Sequence, residues 1–190
     1  MRLSKNRVTG IIIAGGKSTR MGRDKALINY EGKKLIEYAI DLFRAFTNNI
    51  IISANGGKYS CYGFPVVADN NPGLGPLSGI ESALRYSETR NNIVVPCDTP
   101  FVNAGLYDKL LRYSANYDAV VPFSENGKTE PLIAFYSKDI LPVIERQIAN
   151  QDYKMQNLLQ AINTKYLLVE KSEILANLNT ESDLDKTSDK

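Results

Sequence analysis

Residues Val8 to Ala26 read VTGIIIAGGKSTRMGRDKA, and the interpretation of this stretch decides the fold. It opens as an apolar run, Ile11-Ile12-Ile13, passes without a polar spacer into Ala14-Gly15-Gly16, and then gathers Lys17, Arg20, Arg23 and Lys25. An apolar run of this length bounded by glycine suits a central parallel strand covered on both faces. Glycines after the strand let backbone N–H groups approach an anion closely, and the clustered cations would neutralise it. The ligand expected from such a strand and loop is a polyphosphate.

Two familiar phosphate motifs come close and do not fit. The P-loop pattern needs a glycine five residues before Gly16-Lys17-Ser18, at Ile11, whereas the glycine is Gly10. The intervening residues Ile11 to Ala14 are moreover apolar and strand-like, so they cannot wrap phosphates. The dinucleotide fingerprint G-x-G-x-x-G fails because Gly15 and Gly16 are adjacent and no third glycine falls in register.

The length of 190 residues suits one α/β domain with a sizeable core, expected over residues 1–184, before a polar tail at 185–190 expected to be poorly ordered. A net charge of +2 suggests neither nucleic acid nor a membrane as partner, so the cations near Arg20 and Lys25 read as a local site. The basic start, Met1 to Arg7, leads into the isoleucine strand and not into a signal-peptide core, and no segment is long enough to span a bilayer. The 2 cysteines, Cys61 and Cys97, lie in different settings and are expected as unpaired thiols of a cytoplasmic protein. With 0 histidines, Ser-His-Asp triads, histidine bases and histidine-ligated zinc are excluded, leaving chemistry to Asp, Lys, Arg and a hard metal.

Along the chain, residues 34–46 carry Leu35, Ala39, Leu42, Phe43 and Phe46 at helical spacing. The apolar run Ile50-Ile51-Ile52 is a second strand that delivers Asn55 to its carboxyl end, where open α/β sheets bind ligands; a structural turn at Asn55 has the same pattern. A third short strand, 65–69, brings Asp69 to the same edge, before the turn-rich and expectedly mobile 70–76. A helix is expected from Leu77 to Tyr86 with Pro76 in its first turn. The strand Ile93-Val94-Val95-Pro96-Cys97 ends in Asp98, and Pro100 stops it. Such a carboxylate suits Mg2+, which takes one or two carboxylates with phosphate oxygens and waters. A strand-end Asp can also cap the next helix, but Asn103 is the better cap candidate, and the same pattern would serve a P-loop-like NTPase.

Strands are expected at 118–122 and 132–136, with Asn126-Gly127 between them as a tight turn, which would add one antiparallel pair to the sheet. Glu130 precedes the returning strand and could face a second substrate. Helices at 139–149 and 154–162 and a strand at 166–169 complete an α/β, Rossmann-like three-layer sandwich with a mostly parallel central sheet.

Ile13 to Lys25 resembles the nucleotidyltransferase signature L-A-G-G-x-x-x-R-M-G-x-x-K, which fixes the glycine pair, the arginine, the Met-Gly pair and the lysine together. With Pro96-Cys97-Asp98-Thr99-Pro100 and Asn177-Leu178-Asn179-Thr180, the chain is similar, from about Val8 to Leu184, to the molybdenum cofactor guanylyltransferase family. The resemblance implies that Ile13, Ala14, Gly15, Gly16, Lys25, Asn55, Asp69 and Asp98 hold GTP, with Mg2+ on Asp98. It implies that Arg20, Lys25 and Asp98 act in catalysis, that Lys154, Asn177 and Asn179 lie toward the molybdopterin acceptor, and that Gly75-Pro76-Leu77-Ser78-Gly79 lies beside the nucleotide. It departs from the family where N-T-P-E reads Asn179-Thr180-Glu181-Ser182.

The activity so implied is transfer of GMP from GTP to the terminal phosphate of molybdopterin with release of pyrophosphate, in the cytoplasm, with transient contact to molybdenum-insertion proteins or molybdoenzymes. Backbone N–H groups of Ile13-Ala14-Gly15 are expected to donate to guanine O6. A sugar-1-phosphate guanylyltransferase and a molybdopterin cytidylyltransferase share the first motif, and a catalytically silent nucleotide-binding module would keep the fold without needing Asp98.

Overall fold

A computed structural model describes residues 7–15, 24–178 and 183. Its centre is β1 (Val8–Ile13), buried along its whole length, as the apolar run requires. Strand β1 pairs in parallel with β4 (Asn49–Ser53) on one side and β6 (Asn91–Pro96) on the other. The sheet continues through β5 (Val66–Val67) beyond β4, and through β8 (Ala134–Ser137), β7 (Ala119–Ser124) and β9 (Thr164–Val169) beyond β6, in the order β5-β4-β1-β6-β8-β7-β9. Strand β8 runs antiparallel to both of its neighbours, and the other pairings in the sheet are parallel. The Asn126-Gly127 turn forms, with Gly127 at φ 81°, but β8 begins only at Ala134.

Side chains alternate across the sheet, so each face must be covered. Val8, Ile12, Ile50, Ile52, Ile93 and Val95 meet α1 (Leu35–Arg44) and α3 (Ala104–Leu111) through Ile36, Phe43, Leu106, Tyr107 and Leu110. Ile11, Ile13, Ile51 and Val94 meet α2 (Pro76–Tyr86), α4 (Leu141–Ala149) and α5 (Met155–Ala161) through Leu77, Ile80, Leu84, Ile144 and Leu158. Fully burying each such aliphatic side chain contributes about 1.5–3 kcal/mol. Gly10 lies where Phe43 crosses β1: a Cβ there would sit 2.4 Å from the Phe43 ring.

Asn103 caps α3, its side chain accepting from Leu106 N–H at 3.2 Å. Pro76 occupies the first turn of α2, and the preceding Gly75 adopts φ 78°, which a side-chain-bearing residue rarely enters. A small ribbon of β2 (Asn29–Tyr30) and β3 (Lys33–Lys34), joined by Glu31 and Gly32 at positive φ, stands apart from the sheet. Among the described residues no helix is long and apolar enough to cross a membrane. Cys61 is exposed and Cys97 buried, and both are free thiols.

Candidate active site

The chain reverses its direction of travel across the sheet between β5 and β6, which lie on opposite sides of β1. In open α/β sheets such a reversal leaves a crevice outside the carboxyl ends of the strands. Here it is a cavity of about 1070 Å3, at the upper end of ordinary ligand clefts. Its walls come from the residues just past each strand: Ala14 and Gly15 after β1, Ala54 and Asn55 after β4, Asp69 after β5, and Cys97 and Asp98 after β6.

At the end of β1, Ala14 N–H and Gly15 N–H both donate to the Ser53 carbonyl, at 3.0 and 3.1 Å, and the Ile13 carbonyl accepts from Cys97 N–H. This corrects the expectation that Ala14 and Gly15 donate to a base: one carbonyl with two lone pairs already takes both groups and locks β1 to β4. Among the described residues, a Cβ at Gly15 would meet only backbone of residues 53 and 54, at 3.6 Å or more.

Lys25 lines the same cavity from a 3-10 turn, Lys25–Leu27, whose N-cap is Asp24. The Asp24 carboxylate accepts from Ala26 N–H at 3.3 Å and pairs with Lys58 at 3.2 Å. It also accepts from the hydroxyl of Tyr59, which is 2% exposed and lies 2.8 Å from each carboxylate oxygen. Tyr59 and Lys58 come from a second 3-10 segment, Gly57–Tyr62, directly after the Asn55 turn. Sequence reasoning missed Asp24, Lys58 and Tyr59. The adjacency of Asp24 to Lys25 inside the signature was the available signal.

Asn55 and Asp69 are held together: Asp69 N–H donates to Asn55 Oδ1 at 3.0 Å. Burial pushes the Asp69 carboxyl above the ordinary aspartate value, against a smaller opposing pull from the Asn55 amide. Beside them the N-terminal turn of α2 enters the cleft through Gly75, Pro76 and Gly79. Gly79 lets the helix pack close there: a Cβ would sit 2.8 Å from Ser53 Oγ and 3.3 Å from Asp69 Oδ1 and would have to displace the Ser53 side chain. The loop after Asp69, expected to be mobile, is fastened to α2. Asn70 N–H donates to Ser82 Oγ at 2.8 Å, Asn71 N–H to Ser78 Oγ at 3.3 Å, and Asn70 Nδ2 to the buried Glu81 carboxylate at 3.0 Å.

Asp98 stands one residue beyond Cys97 at the carboxyl end of β6, its side chain 16% exposed and its Oδ2 3.4 Å from Lys25 Nζ. Its backbone carbonyl accepts from Leu178 N–H at 2.8 Å, which brings the C-terminal segment, and Asn177 with it, into the cleft. Glu130, paired with Lys128, enters from the β7 side. Beside Asp98, burial holds the Cys97 thiol protonated. The described residues contain no group of three or more His, Cys, Asp or Glu able to cage a metal. The Asp98 carboxylate at the strand end, facing the open cleft, fits a hard ion that takes most of its ligands from phosphates and water, not a closed protein cage.

The cleft thus gathers Ile13, Ala14, Gly15, Lys25, Asn55, Asp69, Asp98 and Asn177. Lys154 is not among its lining residues: it is exposed at the N-cap of α5, where its backbone carbonyl accepts from Gln147 Nε2 at 2.9 Å. Gly16, Arg20 and Asn179, together with the tail 185–190, lie outside the described residues.

Glycine-ended central strand, cleft lysine and strand-end aspartates together are the arrangement expected of a nucleotidyl transferase. A family model, the MobA-like NTP transferase domain, matches residues 10–166. The chain belongs to that family. Its relatives in the MobA-like NTP transferase family include a Carboxydothermus hydrogenoformans protein named "Probable molybdenum cofactor guanylyltransferase", 34% identical and covering 94% of each chain. The molybdenum cofactor guanylyltransferase of Yersinia pestis is 32% identical over 94% of this chain and 93% of its own. The crystal structure of molybdopterin-guanine dinucleotide biosynthesis protein A from Archaeoglobus fulgidus superimposes with a TM-score of 0.80. It is 28% identical, covering 94% of this chain and 95% of that one. The MobA-like fold is therefore shared along almost the whole chain.

Proposed function

We propose that the protein transfers GMP from GTP to the terminal phosphate of molybdopterin, releasing pyrophosphate and forming a molybdopterin guanine dinucleotide. The observation that carries this reading is the convergence of Lys25, Asn55, Asp69, Asp98 and Asn177 on one cleft of about 1070 Å3, large enough for a nucleotide and a second phosphate-bearing substrate. The names of the relatives, matched over nearly their full length, support it.

In this mechanism an oxygen of the acceptor phosphate attacks the α-phosphorus of GTP, and the bond from that phosphorus to the bridging oxygen of pyrophosphate breaks. The acceptor oxygen is already anionic near neutrality, so no side chain has to remove a proton, in keeping with the 0 histidines. The protein's remaining contribution is positioning and charge stabilisation. Lys25, with Arg20 from the same signature, neutralises the phosphates, and Asn55 and Asp69 read the base. Asn177, with Asn179, serves the acceptor, and Lys154, outside the cleft lining, takes no part in this reading. Asp98 would hold Mg2+, which when bound neutralises charge on the phosphates during transfer. The protein would work as a single nucleotidyltransferase domain in the cytoplasm.

A pyrophosphate-release assay with GTP, Mg2+ and molybdopterin tests this. Release that requires all three, with the dinucleotide as product, is the expected result. Release with GTP and a sugar 1-phosphate in place of molybdopterin, or with CTP in place of GTP, assigns the cleft to a different transfer.

A further inference from the structure

Tyr59 joins two points of the cleft that are ten residues apart in sequence. Its hydroxyl lies 3.2 Å from the Ala14 carbonyl, at the end of β1, and 2.8 Å from both oxygens of Asp24, at the start of the turn that carries Lys25. We propose that Tyr59 is a positioning residue that sets Lys25 against the end of β1, acting through Asp24; this rests on the reading of the cleft as a nucleoside triphosphate site.

A tyrosine needed only for packing could be phenylalanine, yet here the hydroxyl of a nearly fully buried ring meets three oxygen acceptors. Two of them belong to the carboxylate that caps Ala26 N–H. A hydroxyl has one proton to donate, and a carboxylate is the strongest of these acceptors, so the bond to Asp24 is charge-assisted. Burial first, and the Asp24 carboxylate after it, push the Tyr59 phenol well above its ordinary pKa, so it stays a donor at every working pH. Lys58 also pairs with Asp24, but its side chain is 62% exposed, and an ion pair in water constrains geometry weakly. With the hydroxyl removed, Asp24 keeps, among the described residues, this exposed partner and its own cap. The turn that carries Lys25, whose ammonium lies 3.4 Å from Asp98, then loses the tie that Tyr59 makes to the Ala14 carbonyl.

The test is calorimetric binding of GTP and of guanosine to the wild-type chain and to Tyr59→Phe, with thermal melting alongside. Tyr59→Phe is expected to reduce the preference for GTP over guanosine about tenfold or more, the scale of a lost hydrogen bond to a charged group, with guanosine affinity nearly unchanged and the melting midpoint lowered by only several degrees, so that the protein stays folded at the temperature of the titration. In a Lys25→Ala background the same substitution should add nothing to the loss. Asp24→Ala, which leaves the ring in place, should reproduce the loss and decides the matter if Tyr59→Phe does not fold. Full retention of the preference, an equal loss for guanosine, or an undiminished effect without Lys25 makes Tyr59 a packing residue and overturns the proposal. A wild-type chain with no preference for GTP over guanosine removes the triphosphate reading, and this proposal with it, whereas the other outcomes remove this proposal alone.

Discussion

Lys25 Nζ stands 3.4 Å from Asp98 Oδ2 across 73 residues of sequence, linking the cation of the glycine loop to the carboxylate at the end of β6. Both side chains are mostly buried, at 20% and 16% exposure, so the pair lies in the cleft wall and not in bulk water. In the proposed reaction this pair is where the phosphate-binding cation and the metal-holding carboxylate meet.

Asp98→Ala should abolish turnover while the protein stays folded, because Asp98 lies past the end of β6, outside the apolar core. Losing a group that stabilises transition-state charge costs on the order of 10²–10³ in rate, and loss of the metal more. Circular dichroism and Mg2+-dependent pyrophosphate release on the same preparation check this. Near-normal activity in a folded variant would assign the metal elsewhere.

Gly10→Ala should destabilise without touching the cleft. The added Cβ would lie 2.4 Å from Phe43 Cδ2, and Phe43 is fully buried, so the ring cannot swing away. Overpacking of this kind costs about 1–3 kcal/mol, a fall in Tm on the order of 2–12 °C for a chain of this size. Combining it with Phe43→Leu should cost less than the two losses added, and strict additivity would mean that the strain lies elsewhere.

The glycine end of β1, the order of the elements and the strand-end positions of Asn55, Asp69 and Asp98 were legible because each rests on one local pattern. An apolar run stops, and the polar residue after it arrives at the ligand edge. Asn103 was legible as a cap for the same reason. Tyr59 was not, since an aromatic in a glycine-flanked turn has no periodicity, and its partner Asp24 is 35 residues away. The β2–β3 ribbon has two residues per strand, too few for alternation to register, although Glu31-Gly32 carried a turn signal. The engagement of Ala14 and Gly15 by Ser53 was invisible because it depends on the register between β1 and β4.

Asn177→Ala should raise the KM for molybdopterin about tenfold or more and leave GTP affinity nearly unchanged, the scale being that of one hydrogen bond to an anionic group. Asn177 reaches the cleft because Leu178 is bonded to the Asp98 carbonyl and buried, so the backbone should hold its place when the side chain is cut. Separate titrations of the two substrates check it, and an equal shift in both would place Asn177 on the nucleotide side.

Base choice and pH dependence meet at Asp69. With Ala14 and Gly15 bonded to Ser53, the proposed base recognition rests on Asn55 and Asp69, which are bonded to each other. Guanine presents donors at N1 and N2, which a carboxylate can accept, whereas cytosine turns its N3 acceptor toward the same group. A site that leaves polar groups unpaired rejects a mismatched base strongly, so GTP should exceed CTP by at least about 10² in kcat/KM. Asp69→Asn, which replaces one acceptor by a donor, should compress that ratio. Because burial raises the Asp69 pKa above 3.8, the acceptor is lost earlier on acidification than for an exposed aspartate. GTP affinity should hold at neutral pH and fall as pH drops through that raised value, and in Asp69→Asn this fall should vanish. Stability carries the opposite sign: a carboxyl with a raised native pKa disfavours the folded state above that pKa and not below the unfolded value. Asp69→Asn should therefore raise the melting midpoint of the ligand-free protein at neutral pH, with the gain disappearing in acid. Melting curves and GTP titrations across pH test both signs, and a pH-independent base preference in the wild type would remove Asp69 from base recognition.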